Sequence, residues 1–454
     1  NVGIGTNAPS APLHFGSTNY DSPSAENFYR IKFKDHGGTA NDVGIGQPEV
    51  NSLGFNITPS LEGSFRWYAG TSNEKMRLTY SGNLGIGTTA PATKLTVAGS
   101  ISSQGYCSDV NENTFLGTDA ANTGCFNTAV GYKALEDNAS DCYVTGIGYK
   151  ALANNNGGSY NVAVGAQAML NNTTGDNNTA IGGLNVLLSN TEGHRNTAVG
   201  TETLRSNTTA SCNTAVGNTA LHYNTTGKEN TALGQGSMVL NVTGCYNTAV
   251  GYTSLYYNVS GNSNTAVGYQ SMNETGKVGS SGAGGQYNTA MGHGSLKGNL
   301  TGSQNVAIGY QAGLNLNATG NIAIGYKALC TFDAVNGYHV AIGTDAMRCT
   351  TTGSYSTALG FAAMKNNTTG SSNVALGFAS QCCLTTGSNN TTAGQGSRRF
   401  AGTGSNNTAV GINAQYCGGN CSSNTAVGAC SMYYNVSGLE NTIVGRDSLR
   451  VSVT

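Results

Sequence analysis

The side chains in this sequence best suited to chemistry are cysteines, recurrent Asn-x-Ser/Thr triplets and a thin scatter of carboxylates. Twelve cysteines in 454 residues fit an oxidising, extracellular setting, where thiols pair as disulfides. Cys125 and Cys142 stand seventeen residues apart, Cys330 and Cys349 nineteen, and Cys417 and Cys421 bracket the stretch CGGNC. The rival use is metal binding, but a structural zinc site needs four converging Cys or His at short paired spacings. The pair in CGGNC has no second pair nearby, so neither a metal nor another cofactor is expected.

The triplets at Asn138, Asn172, Asn207, Asn224, Asn241, Asn258, Asn299, Asn317, Asn367 and Asn435 match the N-glycosylation acceptor. They are expected to face outward in turns, carrying glycans if the chain travels a secretory route and serving as plain turn residues if it does not. The carboxylates give little support to catalysis. Glycoside cleavage needs two of them about 5 to 10 Å apart, whereas Asp119, Glu202, Asp345 and Asp447 are far apart in sequence and Glu136-Asp137 suits a solvated turn. The six histidines lack metal-ligand spacing. No enzymatic activity is expected.

What must position these groups is set by composition and repetition. Only 9% of residues are charged, the formal net charge is −1, and sixty-six glycines accompany abundant Asn, Thr and Ser. Disorder usually comes with high net charge and few β-branched residues, so regularly placed Val, Ile and Thr point to turn-rich β structure. Scattered bases exclude a nucleic-acid footprint, and no run of about 20 apolar residues could span a membrane as a helix. No signal-peptide pattern opens the chain, which begins at Asn1 and reads as part of something longer or a processed product.

Aligned on the glycine that closes NTAVG, the chain repeats twenty times, from Gly117 to Gly445, mostly every 17 residues, with steps of 14, 16, 18 and 24 as exceptions. The consensus is N-T-A-[VIL]-G-x-x-[AS]-[LM]-x-x-N-x-[TS]-G-x-x. Thr and Val flanking Ala have the two-residue period of a short strand, and the closing glycine suits a sharp turn. The later apolar pair, such as Ala134-Leu135 or Ser254-Leu255, is expected to form a second strand, and NTTG or NVSG a turn. A seventeen-residue unit is too short to contain a helix, so the fold expected is a β-solenoid with coils about 4.8 Å apart, a rod on the order of 95 Å long. Asn heads seventeen of the twenty repeats, enough for an asparagine ladder. In that register Cys125 and Cys142 stack about 5 Å apart, inside the disulfide range. Cys330 and Cys349 lie nearly in register, Cys417 and Cys421 share a turn, and Cys212 and Cys245 are two coils, about 10 Å, apart. Each coil has few large apolar residues, so three chains about one axis are expected to bury a second face.

The elements NVAVGAQAM, NTAIGG and NVAIGYQA resemble the head repeats of trimeric autotransporter adhesins. That resemblance implies trimeric, left-handed parallel β-rolls and covers about three quarters of the chain. Residues 74–102, EKMRLTYSGNLGIGTTAPATKLTVAGSIS, resemble a module that recurs in phage tail fibres and related surface fibres, and NVGIGTNAPSAPLHF at residues 1–15 is a second copy. Four segments follow: the first module at 1–15, a small antiparallel β domain at 16–82, the second module and connector at 83–112, and the solenoid shaft at 113–454. Phe65, Trp67 and Tyr68 are read as core of the small domain.

Together these features predict an all-β homotrimeric fibre on a virion surface, extracellular, joined to other fibre proteins upstream and engaging host-cell glycans by avidity. Exposed Tyr132, Tyr252, Tyr269 and Tyr326 are candidate ligand contacts, against the reading that they pack along the coil ladder. A bacterial adhesin head and a glycan-depolymerising tailspike are the alternatives.

Overall fold

The computed structural model is all-β in its described residues and divides into two compact units, residues 1–103 and 104–454. Before residue 113 it describes the strands Val2–Ile4, Leu13–Phe15, Ile31–Lys32, Val43–Glu49, Ser52–Ile57, Ser64–Tyr68 and Glu74–Thr79, together with residues 81–92 and 94–97. From 113 to 452 it describes all residues except 118, 121–123, 139–140, 277–283 and 332–336.

In the first unit Val2–Ile4 pairs in parallel with Leu13–Phe15. Ile31–Lys32, Val43–Glu49 and Ser52–Ile57 make an antiparallel sheet, as alternating residues between the two modules lead one to expect. Ser64–Tyr68, Glu74–Thr79 and Leu84–Ile86 form another, which Leu95–Val97 joins in parallel. That sheet crosses the boundary expected at 82/83, because Leu78 pairs with Leu84 and Asn83 Nδ2 ties the following loop to the Pro91 carbonyl at 3.1 Å. Trp67 stands on its strand 40% exposed, so it is not the buried core residue that the sequence suggests.

The second unit is the expected parallel solenoid. Twenty three-to-six-residue strands, one per repeat, stack into a single sheet in chain order. Register is kept through every irregular step: Thr114 pairs with Thr128 across the 14-residue coil, and Thr265 with Thr289 across the 24-residue one. Extra residues are therefore accommodated outside the sheet. In most coils the central strand alanine and a Leu or Met four residues after the glycine are fully buried, as in Ala249 and Leu255.

The second strand expected at Ala134-Leu135 and Ser254-Leu255 does not form. These residues lie in turns, with Leu135 at φ 55° and Leu255 at φ 52°. Three positions per coil adopt this left-handed conformation: the residue before the heading Asn, and those two and four after the glycine, as in Tyr246, Thr253 and Leu255. The inter-coil hydrogen bonds persist nonetheless, for example Leu255 N–H to the Ser271 carbonyl at 2.9 Å. This geometry explains a sequence preference. Branching at Cβ crowds the left-handed region, and the left-handed buried position after the glycine is filled mostly by Leu or Met, and by Gln or Arg late in the chain, rather than by the Val or Ile favoured in strands.

Two asparagine columns close the coil. In the expected one, each heading Asn accepts the next coil's backbone N–H, as Asn230 Oδ1 does from Asn247 N–H at 3.0 Å. Its Nδ2 donates to the carbonyl fourteen residues on, as Asn247 does to Gly261 at 2.8 Å. Buried backbone groups at the corner are thereby satisfied, which an interior this narrow cannot do with water.

Candidate functional site

The broadest candidate surface grows directly from the strands. On each of the twenty rungs the first and third strand residues point away from the coil interior and are half-buried or exposed, while the middle one is buried on nearly all. The first outward column is Thr, Val or Ile throughout, and the second is Val, Ile, Leu or Met except at Ala393. No charged side chain interrupts either column. Single apolar residues on a surface are ordinary, but a continuous uncharged strip of this length is a candidate interaction surface.

Aromatic rings flank the strip on both sides. On one edge Phe126, Tyr143 and Tyr160 stack with centroids 5.0 and 5.1 Å apart, and Tyr338 stacks on Tyr355 at 5.5 Å. On the other edge, Tyr132 stacks on Tyr149 at 5.8 Å. Farther along, Tyr252, Tyr269, His293, Tyr310 and Tyr326 form one five-ring ladder, with spacings of 4.9 to 5.5 Å. The candidate contacts Tyr132, Tyr252, Tyr269 and Tyr326 are thus exposed but turn their faces to one another along the stack. Lys327 Nζ also lies 5.2 Å from the Tyr326 ring centroid. Stacking of a sugar on these faces is largely pre-empted, and what they offer solvent is ring edges and hydroxyls.

The glycosylation candidates face the other way from expectation. Asn172, Asn207, Asn224, Asn241, Asn258, Asn299, Asn367 and Asn435 are fully buried, Asn138 is nearly so, and Asn317 is half-buried. From Asn138 to Asn258 they form, with Asn155 and Asn190, a second amide ladder that sequence reading missed. Each Nδ2 donates to the preceding Oδ1, as Asn241 does to Asn224 at 2.8 Å, and to the carbonyl three residues on, as Asn241 does to Gly244 at 3.0 Å. The turn is wound by left-handed residues that carry the amide inward, where a glycan has no room. Buried atoms without a partner mark the ladder's two ends, Asn138 Nδ2 and Asn258 Oδ1.

Of the cysteine pairs, Cys125 and Cys142 form the inter-coil disulfide, with Cα atoms 4.6 Å apart. Cys330 and Cys349 remain free thiols, as do Cys417 and Cys421. Cys330 and Cys349 sit one position out of phase, five and six residues after their glycines, so the first is buried and the second half-exposed. Within CGGNC, Cys421 points into the coil and donates to the Asn435 carbonyl at 2.9 Å, while Cys417 lies outside it. Cys212 and Cys245 are likewise unpaired, in keeping with their two-coil separation. Burial pushes the Cys382 thiol up to about 11, so that thiol stays protonated at neutral pH.

Among the described residues, the carboxylates Asp119, Glu202, Asp345 and Asp447 lie on separate coils. Asp345 Oδ2 meets Lys365 at 3.0 Å, and Glu202 lies 3.8 Å from His222. Among the described residues no group of three or more His, Cys, Asp or Glu could hold a metal ion. Two buried residues stand out instead. His339 replaces a heading Asn, with Nε2 2.7 Å from the Gly353 carbonyl and Nδ1 accepting from Ser356 N–H at 3.3 Å, so a neutral imidazole reproduces both amide roles. Arg398 occupies the Leu/Met column, fully buried, its guanidinium donating to the Gly404 and Cys421 carbonyls at 3.2 and 3.1 Å. Burial lowers its pKa to about 10. The signal for both was available in sequence, as a His at a phase mostly held by Asn and an Arg at a phase mostly held by Leu or Met.

No family model matches the chain, and neither a curated protein nor a solved structure matches it.

Proposed function

We propose that this chain forms the shaft of a homotrimeric attachment fibre on a virion surface, outside the cell, and that the shaft engages cell-surface glycans through its repeated outer turns. The observation that carries the reading is the uncharged strand face. Twenty rungs at about 4.8 Å and a strand about 10 Å wide give each chain on the order of 950 Å² of uncharged face, mostly Thr on one column and mostly Val, Ile or Leu on the other. Three such faces closed about one axis exceed the roughly 1,200–2,000 Å² total of a stable interface. Two further copies of the chain are the natural occupants, because an uncharged face repeated at one spacing fits itself rung for rung. The GNLGIGTTAP stretch at residues 82–91 favours a virion fibre over a cell-surface adhesin.

Light scattering on the purified chain tests this. A trimer has three times the chain mass of 46.3 kDa. A monomer that persists at high concentration excludes the fibre reading, and a dimer replaces the threefold assembly with face-to-face pairing.

A further inference from the structure

Beyond the aromatic ladder the turn that follows each strand glycine is corrugated by side chains at fixed phases, and in one coil two of them are missing. Gly294 and Gly298 stand where the coils on either side carry Gln270 and Gln311, and Glu274 and Asn315. Their absence opens a notch of about 250 Å³ lined by Gln270, Glu274, His293, Lys297, Gln311 and Asn315, with Leu314 as an apolar patch. Inter-coil hydrogen bonds hold its frame, including Gly294 N–H to the Tyr269 carbonyl at 2.9 Å and Gln311 N–H to the His293 carbonyl at 2.9 Å. His293 is fixed as the middle ring of the aromatic ladder, 4.9 Å from Tyr269 and 5.1 Å from Tyr310.

We propose that this notch binds a single neutral pyranose unit of a polysaccharide. Drug-sized ligands occupy pockets of roughly 300–1,000 Å³, so a smaller notch suits one ring. Its lining is rich in groups that both donate and accept: three carboxamides, from Gln270, Gln311 and Asn315, meet adjacent sugar hydroxyls in either polarity. Glu274 accepts from hydroxyls and Lys297 donates, so the formal charges among the lining residues cancel and favour a neutral sugar. Leu314 and the edge of His293 face the C–H side of the ring. The inference deepens the glycan-attachment reading by naming a site, and it stands or falls separately from the trimer.

The test uses the full chain and ligand-detected saturation-transfer NMR with the methyl pyranosides of glucose, galactose and mannose, their 2-acetamido counterparts, and glucuronate and sialic acid as anionic comparators. A neutral pyranoside is expected to bind with a dissociation constant on the order of 1–10 mM, the range open to a ligand of about a dozen heavy atoms. Gly294→Gln is the decisive variant. A Cβ at Gly294 meets nothing nearer than Gln311 Cγ at 3.6 Å, and Gln is already present at this left-handed position in both neighbouring coils. The substitution therefore refills the notch and should abolish the signal, with mass and circular dichroism unchanged. Glu274→Gln, which keeps the shape, should weaken binding about tenfold. No signal from any neutral pyranoside, a signal undiminished in Gly294→Gln, or binding confined to the anionic sugars overturns the proposal. Loss of the trimer with retained sugar binding would instead remove only the fibre reading.

Discussion

At the residue scale the repeat depends on a few positions that tolerate no alternative. Gly251 has φ 128°, and a Cβ added there would lie 2.6 Å from the Gly268 carbonyl oxygen. Both the conformation and the space require glycine. Gly251→Ala should cost about 3 kcal/mol or more, seen as a lowered thermal midpoint and as faster amide exchange concentrated in the coils of Gly251 and Gly268. His339 makes a different prediction. Burial lowers its folded-state pKa, since a charged ring would lose its solvation and the Nδ1 acceptor for Ser356 N–H. Between the ordinary value of 6.5 and the lower folded value, the unfolded chain takes up a proton that the folded chain does not. The stability carried here is complete above pH 6.5 and is lost as the pH falls through the folded value. His339→Asn restores the amide and should flatten that part of the pH profile. The difference between the two proteins isolates it from Asp141, whose carboxyl burial raises and which acts in the opposite sense.

At the scale of one coil, the sequence was legible where phase alone decides. The first strand of each repeat, its register and the Cys125–Cys142 link all follow from a seventeen-residue period and a rise of about 4.8 Å. What phase cannot supply is which way a turn residue faces. Asn-Thr-Thr-Gly reads as an exposed turn by ordinary turn chemistry, yet three left-handed residues per coil rotate its amide inward. The same winding turned the expected second strand at Ser254-Leu255 into a turn that still buries its leucine. A sequence reader could have found this in the avoidance of β-branched residues at the buried position. Asn241→Ala should then cost about 1–3 kcal/mol, because it strips Asn224 Oδ1 of its ladder donor and Asn258 Nδ2 of its ladder acceptor, whereas an exposed turn residue would give almost nothing. Glycosidase treatment of protein from a secretory host should leave the mass of these buried triplets unshifted. The disulfide acts on the first coils, where a solenoid frays. Closing a loop of seventeen residues is worth about 3 kcal/mol, so Cys125→Ser with Cys142→Ser should raise amide exchange from Gly131 to Gly148 and leave the coils from Gly200 to Gly251 unchanged.

At the scale of the whole solenoid, one coil is the unit of stability and contacts only its neighbours, so its removal is tolerated if phase is kept. Deleting residues 247–263 joins Tyr246 to Asn264, both at their proper phases. Asn230 Oδ1 can then accept from Asn264 N–H as it does now from Asn247 at 3.0 Å, Ala232 stacks on Ala266, and the inner amide ladder ends at Asn241 instead of Asn258. Deleting 247–255 removes about half a coil and leaves the next strand facing the wrong column, with buried carbonyls and amides unpaired on both sides of the junction. The seventeen-residue deletion should therefore melt within a few degrees of the parent and shorten the rod by one rise, about 4.8 Å. The nine-residue deletion should unfold locally or aggregate, read by circular dichroism and scattering. The same pair of proteins probes the uncharged face. If every rung meets a rung in two neighbouring chains, the in-phase deletion keeps the assembly because all three faces shorten together, and mixing it with the parent chain should still give mixed trimers, each with a single unmatched rung at one end. Loss of the trimer in the in-phase deletion would mean that the rungs are not matched, and that the face has some other occupant.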